Sequence, residues 1–387
     1  MSLQEEIEAA LSASPDYWVR ARREAGLTGG KETDLPGCRS LPKCRAAMEL
    51  RTKGRPAYVR LLDRLHRETD DTVPFRNAVY LLLYFDSLFV YRELKGAYRS
   101  ASGVQRSWLS AACRKIIVRC LDVPMAMDVA LTREIVRNTE PGRLGTTPMM
   151  VELSQRLAEE GARPVVVRDM AVSDGITTLD LAASAAGQGV PTAITGTDLH
   201  LYLRYAREGE DQAVSYIGGA PLQYEMSGET FGLLHDDPAL ASQKERYRLD
   251  GALSGEGVLT VPILAPEVEV AVESGEHDLC FKEEDAFDPD GDIAQADVIR
   301  VANLFVERTA DHRGYYYRDD ILQAIRRLGE KAKDGAYLYL DDFLKKTEHI
   351  GLWRKSEAAG RWERLPVSGN CREDLEGVTD IRIVESI

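Results

Sequence analysis

Val165-Val-Val-Arg-Asp-Met-Ala-Val-Ser-Asp-Gly-Ile-Thr-Thr-Leu179 decides the fold class of this chain. Three consecutive valines open a buried strand, and the small residues Ala171, Ser173 and Gly175 mark a tight turn into a helix over residues 177–186. A strand that runs through such a turn into a helix is half of a βαβ unit, and βαβ units build parallel sheets. The alternation continues downstream, with strands expected at 164–169, 192–197, 277–283, 297–302 and 336–340 and a second long helix at 319–333. Beyond these, Gly351-Leu-Trp-Arg-Lys-Ser-Glu-Ala-Ala-Gly-Arg-Trp-Glu-Arg-Leu365 reads as a hairpin turning at 358–360, and 379–384 as a further strand. The long stretch 202–258, with Gly218-Gly219, Gly228, Gly255 and Gly257, reads as loop-rich and as a cover for an active site.

Upstream of this region the pattern is different. Apolar Ala57, Val59, Leu61, Leu62 and Leu65 interleave with Arg55, Arg60, Arg64 and Arg67, the spacing of an amphipathic helix. Helical periods recur at 104–118 and 129–136, whereas 27–42 is a Gly/Lys/Pro loop. The run 78–91, Ala-Val-Tyr-Leu-Leu-Leu-Tyr-Phe-Asp-Ser-Leu-Phe-Val-Tyr, is too short to span a bilayer at about 20 residues and reads as one buried helix carrying Asp86. Turn chemistry at 138–148 sets a boundary. The expected architecture is α/β: an all-α N-terminal domain over 1–150, acting as a substrate cap or dimerisation element, and a Rossmann-like sheet over 151–387.

The chain has 387 residues with 44% hydrophobic, 29% charged and 7% aromatic content, ordinary globular usage. Its formal net charge of −14 argues against a nucleic-acid partner or an anionic membrane surface. The charge is uneven, net +6 over 1–150 and net −20 over 151–387. Six scattered cysteines (Cys38, Cys44, Cys113, Cys120, Cys280, Cys371) form neither a disulfide framework nor a close CxxC pair, so reduced thiols and no metal site are expected. Acidic residues in Met-Ser-Leu-Gln-Glu-Glu-Ile-Glu do not suit a signal peptide, which makes a cytoplasmic location the expectation.

Chemistry concentrates at the ends of the expected strands, where open α/β sheets bind ligands. The turn at Ala171, Ser173 and Gly175 lets a ligand approach the backbone. Asp198 closes the second strand 23 residues after Gly175, near the spacing at which such folds hold ribose hydroxyls, and a carboxylate suits a vicinal diol because it accepts twice. In Phe281-Lys-Glu-Glu-Asp-Ala-Phe287, Asp285 is placed to accept from an adenine amine, with Ala286 or Phe287 covering the ring. Each feature has an ordinary alternative, a helix cap for Asp198 or a plain loop residue for Asp285; their order points to a nucleoside-containing cofactor.

At these residues the chain resembles the class I S-adenosylmethionine-dependent methyltransferases. Asp169-Met-Ala-Val-Ser-Asp-Gly175 is similar to that family's acidic-x-Gly-x-Gly-x-Gly loop, with Ala171 and Ser173 in place of two glycines. Within the class it looks most like the chemotaxis-receptor glutamate methyltransferases, through Thr195-Gly-Thr-Asp-Leu199, the segment 277–289, and Ala296-Asp-Val-Ile-Arg-Val-Ala-Asn-Leu-Phe305. The resemblance implies S-adenosyl-L-methionine as cofactor. It places the methionine part on Asp169, Ala171, Ser173 and Gly175, the ribose on Asp198 beside Leu199, the adenine at Asp285 and Ala286, and Asn303 near the sulfonium.

Candidate groups near the methyl are Asn303, His200, Tyr202, His312 and the triplet Tyr315-Tyr316-Tyr317, with no general base assigned. Solvent-facing loop positions are the competing reading for the histidines, and packing for the tyrosines. The activity implied is methyl transfer to a small metabolite or natural-product intermediate. The alternatives are a non-catalytic regulator that binds the cofactor or its product, and a protein carboxyl methyltransferase; a dinucleotide oxidoreductase is disfavoured because GxGxxG is missing. A homodimer is compatible with the apolar, aromatic N-terminal helices.

Overall fold

The computed structural model describes residues 2–12, 16–27, 44–68, 70–85, 87–101, 103–121, 147–161, 163–207, 212–217, 220–226, 229–232, 258–302, 304–305, 316–344, 347–356 and 361–366. It divides into two compact units, residues 1–139 with 202–267, and residues 140–201 with 268–387. This differs from a division at residue 150, because 202–267 groups with the N-terminal helices.

In the first unit, α1 (Leu3–Leu11) begins with a capping box between Ser2 and Glu5, and Asp16 caps α2 (Tyr17–Glu24) by accepting from the Trp18 and Val19 amides. Then follow α3 (Arg45–Arg51), α4 (Arg55–Arg67), α5 (Val73–Leu82), α6 (Leu88–Ser100) and α7 (Gly103–Leu121). Buried Asn77 accepts from the Tyr17 amide at 2.8 Å and donates to the Leu11 carbonyl at 3.1 Å, tying α5 to α1 and α2. The apolar run 78–91 is not one helix. After α5 a 3-10 turn, Leu83–Phe85, ends the first segment, and Ser87 starts α6 by accepting from the Phe89 amide at 3.2 Å. A serine at that position competes for backbone hydrogen bonds and so favours a new cap over continuation. Asp86 and the helix expected at 129–136 lie outside the described residues.

The stretch expected to be loop-rich contains strands β3 (Tyr202–Arg207), β4 (Gln212–Ile217), β5 (Ala220–Met226) and β6 (Glu229–Gly232), followed by β7 (Leu259–Pro262). They form an antiparallel sheet ordered β6-β5-β4-β3-β7. Only two residues separate β4 from β5 and β5 from β6 in sequence, so the strands follow one another closely. Helix α6 fastens this sheet: Tyr205 Oη donates to the Leu88 carbonyl (2.8 Å), the Leu88 amide donates to Gln223 Oε1 (2.9 Å), and Tyr91 Oη donates to the Ile263 carbonyl (3.0 Å). The buried ammonium of Lys95 donates to the carbonyls of Pro262 (2.6 Å) and Leu264 (2.8 Å). These bonds explain why 202–267 belongs with the helices.

The second unit contains α8 (Thr147–Gly161), β1 (Val165–Met170), α9 (Ile176–Gly187), β2 (Thr192–Asp198), α10 (Pro266–Ser274), β8 (Leu279–Glu283), β9 (Val298–Ala302), α11 (Arg318–Lys331), β10 (Tyr337–Leu344), β11 (Thr347–Ser356) and β12 (Arg361–Leu365). Among the described residues, the expected strands and helices of this unit therefore form, within a few residues of their expected ends. The sheet order is β12-β11-β10-β9-β1-β2-β8. Strands β8, β2, β1, β9 and β10 are mutually parallel, and β11 and β12 extend the edge as an antiparallel pair. This is a Rossmann-like α/β sheet. Separate apolar cores lie on its two faces, one with α11 and one with α8 and α9. The strand order reverses at β1, with β2 on one side and β9 on the other, so the ligand crevice is expected beyond the carboxyl ends of β1 and β9. The turn at 358–360 and the strand expected at 379–384 lie outside the described residues.

Candidate functional site

The loop from β1 to α9 has positive φ at every second residue. Ala171 has φ 60° and Ser173 φ 57°, and Gly175, which starts α9, has φ 77°. Left-handed conformation costs a non-glycine residue about 1 kcal/mol, so two such residues persist only where their surroundings fix them. The fixing bonds are present. The Val172 amide donates to the Thr197 carbonyl at 3.1 Å, the Gly175 amide to the Val172 carbonyl at 2.9 Å, and the Ser173 amide to Asp198 Oδ2 at 2.8 Å. Loop and second strand end are thus one hydrogen-bonded piece. Buried Asp174 accepts from the Ile176 amide at 3.3 Å, which puts a carboxylate at the start of α9.

Asp198 is half-buried, and its other oxygen accepts from the His200 amide at 3.5 Å. Both oxygens of Asp198 thus accept from backbone amides, one in the loop and one in the turn after β2. Gly196, two residues earlier, has a packing reason: a Cβ there would lie 2.4 Å from Phe281 Cε1 and 2.6 Å from its Cδ1. The Phe281 ring crosses the strand where a side chain would stand. On β8, Glu283 pairs in register with Asp198 and accepts from the Leu201 amide at 2.9 Å. Asp285 is exposed and accepts from the Phe287 amide at 2.8 Å, while Ala286 is buried. Leu199 and His200 are half-buried in the turn after β2.

Asp169 has no exposed surface. Its carboxylate accepts from Thr178 Oγ1 at 2.7 Å and from Arg300 Nη1 at 2.9 and 3.0 Å. Arg300, on the adjacent strand β9, also donates from Nε (3.1 Å) and Nη2 (3.0 Å) to Asp341 Oδ2 on β10. Burial pushes the Asp169 carboxyl above its ordinary range, against the pull of Arg300 and Thr178. For Arg300, burial works against the charge, and the two carboxylates outweigh it and hold its pKa above the ordinary value. Thr178, Arg300 and Asp341 are the site residues that sequence reading missed. Their signal was a charged residue in each of two apolar strands, Arg300 in Val-Ile-Arg-Val-Ala and Asp341 after Tyr-Leu-Tyr-Leu, since buried charges require partners.

The structure brings Ala171, Ser173, Gly175, Asp198, Leu199 and His200 together at the ends of β1 and β2. It places Asp285 and Ala286 just past the end of β8, the strand beside β2. Tyr316 is buried, its ring centroid 4.5 Å from that of Phe287, which in turn lies 5.5 Å from Phe305. Tyr202 begins β3 and belongs to the first unit. Asn303, His312 and Tyr315 lie outside the described residues. Buried Thr197 Oγ1, at the end of β2, has no hydrogen-bond partner among the described residues.

No family model matches the chain, and no curated protein does. Among solved structures, it is similar to the CMeT domain of the citrinin polyketide synthase, at 12% identity over 89% of this chain and 72% of that one with a TM-score of 0.29. It is similar to the CurJ carbon methyltransferase, at 14% identity over 88% and 73% with a TM-score of 0.27. A third is Burkholderia thailandensis 1,6-didemethyltoxoflavin-N1-methyltransferase with S-adenosylhomocysteine bound, at 14% identity over 61% and 66% with a TM-score of 0.26. At such scores these likenesses transfer no residue role. Among the described residues no helix is long and apolar enough to cross a membrane.

Proposed function

We propose that the chain is an S-adenosylmethionine-dependent methyltransferase acting on a small metabolite or natural-product intermediate. One observation carries the reading: Ala171, Ser173 and Gly175 all hold positive φ in a loop pinned to Asp198 beside the strand-order reversal. Two residues that are not glycine keep the glycine-like backbone, so the loop retains the shape a closely approaching ligand needs. That retention favours a working cofactor site over a decayed regulatory one. The Asp174 carboxylate at the start of α9 opposes a pyrophosphate and disfavours a dinucleotide.

The residues fit the cofactor. The buried Thr197 hydroxyl, unpartnered among the described residues, and the Asp198 carboxylate stand at the end of β2, and exposed Asp285 offers acceptors for an amine. In this reading Ala171, Ser173 and Gly175 take the amino-acid portion, Asp198 and Leu199 the ribose, and Asp285 and Ala286 the adenine. When bound, the cofactor supplies an electrophilic methyl group. The protein's contribution is alignment: the loop fixes one end, Asp198 the sugar, and the aromatic group of Phe287, Phe305 and Tyr316 lines buried apolar surface behind Ala286. The acceptor contributes the nucleophile, and Asn303 and His200 are the polar side chains proposed nearest to it. The finer likeness to chemotaxis-receptor methyltransferases rests on sequence alone.

Isothermal titration with S-adenosylmethionine and S-adenosylhomocysteine tests this reading. Binding of both in the micromolar range is expected; absence of binding to either at high micromolar concentration refutes it.

A further inference from the structure

We propose that Glu284 is a positioning residue for recognition of the cofactor's base: its side chain closes the loop after β8 on itself and so holds Asp285 and Ala286 where the adenine is read. This role rests on the cofactor reading above and gives Glu284 no ligand contact of its own.

Strand β8 ends at Glu283, the last residue in register with Asp198 on β2. Glu284 follows and is buried. Its amide donates to the Asp198 carbonyl at 2.9 Å, which joins the start of the loop to the residue proposed for the ribose. Its Oε1 accepts from the Asp290 amide at 2.9 Å, so the chain from 284 to 290 returns to its own starting point. Its Oε2 lies 3.5 Å from Arg168 Nη1 on β1, and Arg168 Nη2 stands 3.8 Å from Asp290 Oδ1. One buried guanidinium thus faces both ends of the loop. Between those ends, Asp285 Oδ1 accepts from the Phe287 amide at 2.8 Å, and the Asp285 carbonyl accepts from the Asp288 amide at 3.0 Å. From α11, Arg327 donates to the Phe287 carbonyl and Lys331 to Asp288, each at 2.9 Å.

These contacts are unequal. Lys331 and Asp288 form an exposed ion pair, which contributes little, whereas Glu284 works at both ends of the loop from a buried position where water does not replace a lost bond. An exposed carboxylate such as Asp285 selects a ligand amine well only when it is fixed beforehand, because ordering the loop on binding offsets the contact. What the geometry asks of Glu284 is an acceptor of the right length. Burial pushes its carboxyl above the ordinary range, against the Asp290 amide and Arg168, and a carbonyl oxygen accepts from that amide with or without the charge.

The test compares two probes on the full chain by isothermal titration: S-adenosylhomocysteine, and S-inosylhomocysteine, in which an oxo group replaces the exocyclic amine of the base. The readout is the ratio of their affinities. The parent is expected to prefer S-adenosylhomocysteine by about tenfold or more, because an oxo group cannot donate to Asp285. Glu284→Ala opens the loop and is expected to cut that preference to about threefold or less. Glu284→Gln supplies a neutral acceptor of the same length and is expected to keep the parent ratio within about twofold. In an Asp285→Ala background, Glu284→Ala is expected to leave the ratio where Asp285→Ala alone puts it, since Glu284 acts through Asp285.

Equal weakening of both probes in Glu284→Ala means a general loosening and overturns the inference, as does an unchanged ratio. A Glu284→Gln ratio as low as that of Glu284→Ala overturns it too, and so does a further fall in the Asp285→Ala background. Glu284→Asp, too short to reach the Asp290 amide, carries the same comparison if Glu284→Ala does not fold, and is expected to lower the ratio likewise. If neither variant folds, Glu284 is structural and the inference falls. Failure of the parent chain to bind either S-adenosylmethionine or S-adenosylhomocysteine refutes the cofactor reading, and this inference with it. Binding by the parent without preference between the two bases leaves the cofactor reading standing and refutes only the role of Glu284.

Discussion

Gly196→Ala tests the packing that holds the second strand end in place. The added Cβ would stand 2.4 Å from Phe281 Cε1, 2.6 Å from Cδ1 and 3.3 Å from Val172 Cγ1, so the ring must move. Phe281 packs against the core on the α8 and α9 face, and Val172 is the residue between the two left-handed positions of the loop. Overpacking of this kind costs about 1–3 kcal/mol, and a central value of about 2 kcal/mol lowers the melting temperature of a unit this size by about 4–8 °C. Phe281→Ala alone removes a partly buried ring and costs about 2 kcal/mol, below the range for fully buried aromatics. The double variant separates the causes. With the ring gone, the methyl group added at position 196 has room, and alanine in a strand is about 0.5–1 kcal/mol better than glycine. The double variant should therefore be no less stable than Phe281→Ala. Urea unfolding of the parent, both single variants and the double variant gives the coupling energy, expected near 2 kcal/mol or more in favour of the pair. Additive losses, with the double variant about 4 kcal/mol below the parent, would refute the claim that Phe281 is the reason for a glycine at 196.

Three further outcomes follow from other contacts. Asp198→Ala deletes the acceptor of the Ser173 amide and the proposed ribose contact, and should weaken S-adenosylhomocysteine binding about 30-fold or more by titration, with a smaller effect on melting. Lys95→Met strands the carbonyls of Pro262 and Leu264 in a buried setting and should cost the first unit about 2 kcal/mol in urea unfolding, with the second unit's transition unmoved. For Asp297, burial raises the carboxyl, but bonds from Arg163, Lys333 and the Val166 amide outweigh it and hold the folded pKa below the ordinary value. The folded state thus binds this proton less tightly than the unfolded chain, so the stabilisation is fully present above the unfolded value of about 4 and is lost as pH falls through the folded one. Asp297→Asn should cost about 2 kcal/mol at pH 7, mostly through Lys333 and the Val166 amide because Arg163 is half exposed, and markedly less at pH 3.

The parallel sheet was legible because its strands carry their own punctuation. Val165-Val-Val is an apolar run with Val165 and Val167 buried and Val166 partly so, and a following small-residue turn and helix leave few other topologies. The antiparallel sheet of 202–262 was not legible for a reason visible in its residues. Tyr202-Leu-Arg-Tyr-Ala-Arg207 alternates in burial, with Leu203 and Tyr205 inside, but its residue types repeat every third position, and Gly218-Gly219 and Gly228 read as loop punctuation. What settles the matter is remote in sequence: Gln223 meets the Leu88 amide and Tyr205 meets the Leu88 carbonyl. Tertiary contacts with a helix more than a hundred residues earlier are beyond any local pattern. The run 78–91 failed in the opposite direction. Its hydrophobicity is continuous across Asp86-Ser87, and composition gives no weight to the one serine whose hydroxyl caps α6.

The site shows the same split between positions that a pattern can carry and partners that it cannot. Small residues at 171, 173 and 175 identify the loop because left-handed backbone restricts residue type, and the observed φ values fall on those three alternating positions. Asp198 is identifiable by its distance from that loop, yet nothing local reveals that it accepts the Ser173 amide and so builds the loop as well as facing a ligand. Asp169 shows the limit most clearly. As an acid before a small-residue turn it reads as a ligand group, and the fold instead encloses it between Arg300 and Thr178. Arginine inside Val-Ile-Arg-Val-Ala is the trace the sequence leaves of that enclosure, because a guanidinium in a buried strand must meet carboxylates from its neighbours. Arg168 in Val-Val-Val-Arg obeys the same rule, meeting Glu284 at 3.5 Å. Charged residues inside apolar parallel strands thus predict that acidic partners exist; which acids they are is decided by strand order, and Asp341 becomes a partner because β10 lies beside β9.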